Sequence, residues 1–262
     1  MLQTRDDLDR WVAAAPRLWL FLDYDGTLAD FSPTPDLVEV DPEVVRLIRG
    51  LASKSNVRVA VISGRTLDIV RQLLPVEGVL MAGVYGVEIQ LLSGEVVYRE
   101  DYQHIRPALN RIKLLWQSLT SGRAGFFLED KGWSLALHAD KSEKALAREV
   151  LNAAHQMAEK ELPRRIFRWF VDDTFLEVAP LQAHKGRTVD FIYDKFPLPD
   201  CRMVYIGDDD KDEEAFGTVH SLGGANILVS NRPWPRHLGE ADYILETPAS
   251  VRLWLQQLLE QL

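Results

Sequence analysis

Apolar positions along this chain fall into two patterns. Short runs dominated by apolar residues occur at 18–23, 57–64, 78–86, 201–207 and 226–230. Such runs, without strict alternation, read as strands buried on both faces. Between them lie stretches with helical spacing. "DPEVVRLIRGLAS" (41–53) has an Asp cap, Pro at the first helical position, and apolar residues at 44, 45, 47, 48 and 51, which is helix-start chemistry followed by a helical stripe. "TLDIVRQLL" (66–74) reads as a short helix closed by Pro75, and further helices are expected at about 184–194, near 211–218 and at about 248–261. Alternation of this kind predicts an α/β fold, a parallel sheet with helices on both faces.

The middle of the chain has a different rhythm. "EIQLLSGEVVYRE" (88–100) reads as a hairpin turning at Ser93-Gly94. A long helix is expected at about 103–121, starting near Pro107 and ending at Gly122. A hairpin at 125–139 follows, then an amphipathic helix at 142–162 capped by Ser142, then a hairpin at 165–180. That order predicts an antiparallel sheet with helices on one face. The chain therefore reads as one α/β core, residues 1–100 and 180–262, interrupted by an inserted α+β domain at 101–179.

Composition narrows the classes. With 262 residues, 47% of them hydrophobic and 26% charged, the chain has material for a large core and not the makeup of a disordered one. Thirty basic against 39 acidic residues leave a net charge of −9, the wrong sign for a general nucleic-acid binder. Cys201 is the only cysteine, which excludes an intrachain disulfide and fits a reducing compartment. The run 18–22 is too short to cross a membrane, and "MLQTRDDLDRW" is too acidic for a secretory signal. The expectation is a soluble, cytoplasmic protein with no nucleic-acid or membrane partner.

Chemistry concentrates where strands end. In an open parallel sheet, ligands sit beyond the carboxyl ends of the strands. The first strand runs straight into Asp23, Tyr24, Asp25 and Gly26. Asp-Gly alone is a turn signal, which accounts for Asp25 but not for Asp23 behind five apolar residues. Residues i and i+2 of an extended chain point the same way, so both carboxyl groups can face one pocket. At the end of the second strand, Ser63, Gly64 and Arg65 offer a hydroxyl, close backbone approach and a helix N-terminus, all suited to phosphate; an ordinary capped loop has the same look. Lys185 falls in the first turn of a helix, where a cation opposes the dipole, so an anion beside it would explain its place. Asp208, Asp209, Asp210, Asp212, Glu213 and Glu214 crowd one strand end. Their repulsion asks for a divalent cation, and hard oxygen donors select Mg²⁺ or Ca²⁺. Paired carboxylates, phosphate donors and a metal together describe phosphoryl transfer.

The order "DYDGT", Ser63, Lys185, "GDD" resembles the four motifs of the haloacid-dehalogenase-like phosphatases. Beyond that, "DYDGTLADFSPTPDLVEVDPEV", "VISGR", "AGVYGVE", "EDKGWSLALHAD", "FLEVAPLQAHKG" and "YIGDDDKDEEAF" are similar to the trehalose-6-phosphate phosphatase family. The resemblance implies a haloacid-dehalogenase-like Rossmannoid core with a parallel sheet and an inserted α+β cap. It implies Asp23 as nucleophile and Asp25 as general acid/base. Mg²⁺ would be held by Asp23, Asp208 and the backbone carbonyl of Asp25. Phosphate would be held by Ser63, Gly64, Arg65 and Lys185. In the cap, Glu129, Lys131 and Glu177 match positions that contact the sugar, and Ser134 and His138 match further cap motif positions. The family usually reads Gly-x-His-Gly where this chain has "GVYG", so Tyr85 takes the histidine position and leaves the sugar preference open. Three functions are compatible with the sequence: a Mg²⁺-dependent phosphatase of trehalose 6-phosphate, a phosphatase of the same fold for another glycosyl phosphate, and a sugar-phosphate-binding regulator without turnover.

Overall fold

The computed structural model describes residues 4–30, 39–231 and 241–262; residues 31–38 of the first motif segment quoted above lie outside them. The chain divides into two compact units, Met1–Val97 with His184–Leu262, and Tyr98–Ala183. From the N-terminus the first contains α1 (Arg5–Ala13), β1 (Arg17–Leu22), α2 (Pro42–Ala52), β2 (Val57–Ile62), α3 (Leu67–Leu73), β3 (Leu80–Gly83), β4 (Glu88–Gln90) and β5 (Val96–Tyr98). The second contains α4 (Tyr102–Thr120), β6 (Phe127–Asp130), β7 (Leu135–His138), α5 (Lys144–Glu161), β8 (Phe167–Val171) and β9 (Phe175–Pro180). The chain then returns to the first unit with α6 (Lys185–Lys195), β10 (Cys201–Gly207), α7 (Glu213–Ser221), β11 (Ala225–Val229), β12 (Tyr243–Leu245) and α8 (Pro248–Gln261).

In the first unit eight strands form one sheet in the order β12-β11-β10-β1-β2-β3-β4-β5. The six from β12 to β3 are parallel, and β4 joins β3 antiparallel, so the hairpin extends the parallel sheet into a mixed one. β1 is central and apolar on both faces. Leu18, Leu20 and Leu22 pack with α1, α2, α3 and α8, while Trp19 and Phe21 pack with α6 and α7. Burying each such side chain contributes about 1.5–3 kcal/mol, which locks the register and with it the place where β1 ends.

The second unit is a four-stranded antiparallel sheet, β6-β7-β9-β8. Its one apolar face, Leu135, Leu137, Leu176 and Val178, packs on Ile105, Leu109 and Trp116 of α4 and on Ala147, Val150 and Ala154 of α5. The chain crosses between units at Val97/Tyr98 and Ala183/His184, a few residues outside the limits 101 and 179 read from the sequence.

Several local expectations need correction. α4 starts at Tyr102 under an Asp101 cap, which accepts the Gln103 N–H at 2.9 Å, and Pro107 lies inside the helix. α5 is capped by Glu143, not Ser142, because the longer carboxylate reaches the N–H groups of both Ala145 and Leu146 at 3.0 Å. The third apolar run stops being a strand at Gly83 and turns through a 3₁₀ turn, Val84–Gly86. α1 and β12 were not foreseen.

Candidate active site at the strand ends

The ladder between β1 and β10 continues one residue past β1, where the Asp23 N–H donates to the Ile206 carbonyl at 2.9 Å. Asp23 is therefore carried to the carboxyl edge of the sheet and is buried there. Gly26, at φ 80°, then reverses the chain, and its N–H donates to the Ala29 carbonyl at 2.7 Å. Asp25, at the start of that turn, receives a fork from Arg65: Nε to Oδ2 and Nη2 to Oδ1, each at 2.7 Å. Such a two-bond guanidinium–carboxylate pair fixes both planes. Arg65, expected on phosphate, is thus seated on Asp25.

Ser63 is buried, and its hydroxyl accepts the Arg65 N–H at 3.1 Å. Gly64 is required for space, since a Cβ there would lie 2.7 Å from the Tyr85 ring. The Tyr85 N–H donates to the Ser63 carbonyl at 2.8 Å, and the Tyr85 carbonyl accepts the Thr188 hydroxyl at 2.8 Å. Tyr85, itself at φ 56°, so ties the Ser63 loop to α6.

Lys185 opens α6 and is buried. The anions that justify a cation at a helix start are two carboxylates: Nζ donates to Asp23 Oδ1 at 2.7 Å and to Asp212 Oδ1 at 2.6 Å. Asp212 is the functional residue that sequence reasoning left without a role. Its Oδ1 also accepts the Tyr205 hydroxyl at 2.6 Å, and its Oδ2 accepts the N–H groups of Asp208 and Asp209 at 3.1 Å each. Gly207 makes room for it, because a Cβ there would sit 2.2 Å from the Asp212 Cγ. The acidic run drew attention to the segment, but nothing in it singled out position 212.

Asp23, Asp208 and Asp212 each place a carboxylate oxygen within 4.8 Å of the others. Burial, reinforced by Asp23, Asp212 and Asp209, pushes Asp208 up to about 9. Burial with Asp23 and Asp209 pushes Asp212 up to about 8 against the pull of Lys185. Burial also raises Asp23, with Lys185 opposing. On Lys185 burial acts downward, but Asp212 and Asp23 outweigh it and hold the ammonium well above its ordinary value. Negative charge is in surplus here. Among the described residues Lys185 is the only side-chain donor to the Asp23 carboxylate and Thr27, at 3.3 Å, the only one to Asp208. Free oxygens on those two carboxylates fit a hard divalent cation. Asp212 does not offer the same, since four donors already occupy it.

The second unit gathers the other expected residues on the sheet face away from its helices. Glu129 pairs with Ala136 across β6 and β7, and Ala136 with Glu177 across β7 and β9. Glu177 is fully buried, and its Oε1 accepts the Ser134 hydroxyl at 2.6 Å and Lys131 Nζ at 3.1 Å. Glu129 Oε2 lies 3.9 Å from Lys131 Nζ and 2.9 Å from His138 Nε2. All five residues form one network, Glu129 and Glu177 facing each other across Lys131.

Comparison with known proteins supplies the family context. Residues 21–249 match the family model described as trehalose-phosphatase. A probable trehalose-phosphate phosphatase of Sinorhizobium fredii is 32% identical, over 85% of this chain and 79% of that protein. The solved C-terminal domain of a Candida albicans trehalose-6-phosphate phosphatase superposes with a TM-score of 0.83 at 18% identity, covering 98% of this chain and 97% of that one. A haloacid dehalogenase-like hydrolase from Bacteroides thetaiotaomicron shares the fold at a TM-score of 0.63 and 15% identity, over 92% of this chain and 99% of its own.

Proposed function

The chain belongs to the trehalose-phosphatase family, and on that premise we propose that this phosphatase releases trehalose and inorganic phosphate from trehalose 6-phosphate, with Asp23 as its nucleophile. The observation that carries the assignment is Asp23 itself: a buried carboxylate at the sheet edge, one oxygen held by Lys185 and the other without a donor among the described residues. That free oxygen attacks phosphorus. The bond from phosphorus to the sugar oxygen breaks as Asp25 gives that oxygen a proton. Water then attacks the aspartyl phosphate, Asp25 takes the water proton, and the bond to Asp23 breaks to release phosphate. Splitting one displacement in two needs Asp25 to alternate: the Arg65 fork fits its ionised form, and one arm of the fork must give way when Asp25 carries the proton while the other keeps the carboxyl at the site. The Ser63 hydroxyl, steadied by the Arg65 N–H, and the backbone N–H of Gly64 donate to the phosphoryl oxygens, and Lys185 balances their charge. Mg²⁺ is the cation proposed: Asp23, Asp208 and the Asp25 backbone carbonyl would hold it, and it would supply positive charge against the developing phosphoryl charge.

The second unit acts as the cap and reads the sugar, with Glu129, Lys131 and Glu177 bonding its hydroxyls. No described helix is long and apolar enough to cross a membrane, and with its lone thiol the enzyme is assigned to the cytoplasm. A second reading, another glycosyl phosphate as substrate, is favoured by Tyr85 in the histidine position of the family motif. A panel of sugar phosphates, assayed with and without chelator, separates the readings. Trehalose 6-phosphate should give the highest kcat/KM, and chelation should end turnover until Mg²⁺ is restored. Better turnover of a different glycosyl phosphate selects the second reading; indifference to chelation removes the metal.

A further inference from the structure

The mechanism above makes no use of Tyr205, yet its hydroxyl ends on the carboxylate that holds Lys185. Tyr205 lies in the middle of β10, opposite Phe21 of β1 and Asn226 of β11. It is fully buried and its ring packs edge-on against Phe216 at 5.6 Å. A phenylalanine would satisfy that packing, and the neighbouring strand has one at the same register. The phenol instead places an O–H donor in an apolar layer, where a polar group is costly unless bonded. Its partner is Asp212 Oδ1 at 2.6 Å, the same oxygen that accepts Lys185 Nζ at 2.6 Å.

We propose that Tyr205 is a positioning residue, whose hydroxyl occupies one side of Asp212 Oδ1 and so fixes how Lys185 divides its hydrogen bonds between Asp212 and Asp23. A carboxylate oxygen has two lone-pair directions. With Tyr205 on one and the Asp208 and Asp209 amides on Oδ2, a single direction is left for Lys185. The ammonium must then spend its next donor on Asp23 Oδ1, 2.7 Å away. Without the phenol, Asp212 is a buried anion short of a donor. Lys185 can then fork onto it, drawing the ammonium away from the nucleophile and from the phosphoryl group. The proposal rests on the roles given above to Asp23 and Lys185.

The test uses the full chain with a small aryl phosphate, which avoids dependence on the natural sugar. Tyr205→Phe should lower kcat by about tenfold or more, change KM by less than about threefold, and leave Mg²⁺ affinity, measured by calorimetry, within about twofold. In an Asp212→Asn background, adding Tyr205→Phe should cost nothing further, because the phenol acts through that carboxylate. Phe216→Leu, which loosens the ring packing and keeps the hydroxyl, should lower Tm while kcat holds. Wild-type kcat in Tyr205→Phe, losses that multiply in the double variant, or a kcat fall in Phe216→Leu matching that in Tyr205→Phe would each overturn the proposal. Lys185→Ala run alongside separates the layers: if it is fully active, the site reading itself is wrong, whereas an inactive Lys185→Ala beside an unaffected Tyr205→Phe rejects the Tyr205 role alone.

Discussion

The strand-end site of the first unit and the polar network of the second solve charge burial in opposite ways. In the first, Asp23 and Lys185 stand 162 residues apart in sequence, and Asp23, Asp208 and Asp212 outnumber the one lysine they surround. In the second, Glu129 and His138 are nine residues apart, Lys131 and Glu177 are 46 apart, and strand pairing sets the Glu129, Ala136, Glu177 row. There Lys131 stands between two glutamates, with Ser134 and His138 completing the hydrogen bonds. A surplus of buried carboxylate is tolerable if a cation completes it or if a carboxyl takes up a proton. A nearly balanced network instead offers hydrogen bonds in fixed directions. The first arrangement suits a dianionic phosphoryl group with its metal, the second the neutral hydroxyls of a sugar.

Breaking the first region should have the largest effect. Asp23→Asn keeps the shape and removes the nucleophile, so kcat should fall roughly 10³-fold or more on trehalose 6-phosphate and on an aryl phosphate alike. Tm should hold, because burial already works against the Asp23 charge. A tenth of wild-type turnover in a clean preparation would place the nucleophile elsewhere.

Next in size is the lysine. Lys185→Met strands Asp23 and Asp212 without their shared cation, a change that costs about 3–5 kcal/mol in buried pairs. Urea melts in chelator should show that loss, and added Mg²⁺ should narrow it. An unchanged midpoint would mean the carboxylates are relieved by protonation instead.

The second region should respond in specificity. Glu129→Ala and Lys131→Ala should each lower kcat/KM for trehalose 6-phosphate by roughly tenfold or more, about 1.4 kcal/mol at tenfold, with a much smaller change on the aryl phosphate. Equal losses on both substrates would assign these residues to folding or closure. They would also dissolve the contrast drawn between the two regions.

The smallest effect concerns the other face of the same hairpin. Hydrogen bonds from Arg106 and Lys113 and from the Gly132 N–H hold the Asp130 carboxyl well below its ordinary value. A depressed folded pKa stabilises above the unfolded value of about 3.9, and that stability is lost as pH falls through the folded value. Asp130→Asn should therefore cost about 1 kcal/mol at pH 7, with the gap to wild type closing below about pH 4. A gap that stays constant down to pH 3 would show that the pair contributes packing and not charge.

Much of this was legible in the residues because it is local. Apolar runs are either unbroken or alternating, so the parallel core and the antiparallel unit could be told apart from sequence alone. Asp41 followed by Pro42 marks a helix start within four residues, and α2 begins at Pro42. Asp23 stood out because a carboxylate directly behind five apolar residues has no local explanation. Other features depend on distance through space. The choice of Glu143 over Ser142 as cap turned on side-chain reach, and α1 was missed because only Leu8 and Val12 of its residues are buried. β12 is three residues long and is a strand because β11 lies beside it.

The same division runs through the site. Sequence by itself determined the chemical inventory at the sheet edge: two carboxylates on one strand end, a Ser-Gly-Arg loop, a lysine at a helix start and an acidic run. Only the tertiary structure decided who holds whom. It seated Arg65 on Asp25, gave Lys185 to Asp23 and Asp212 together, saturated Asp212 with four donors and, among the described residues, left oxygens on Asp23 and Asp208 without a donor. The reason is that hydrogen bonds act over about 3 Å, and residues as distant as Asp23 and Lys185, 162 positions apart, come within that range only after β1 and β10 have paired and α6 has packed against them.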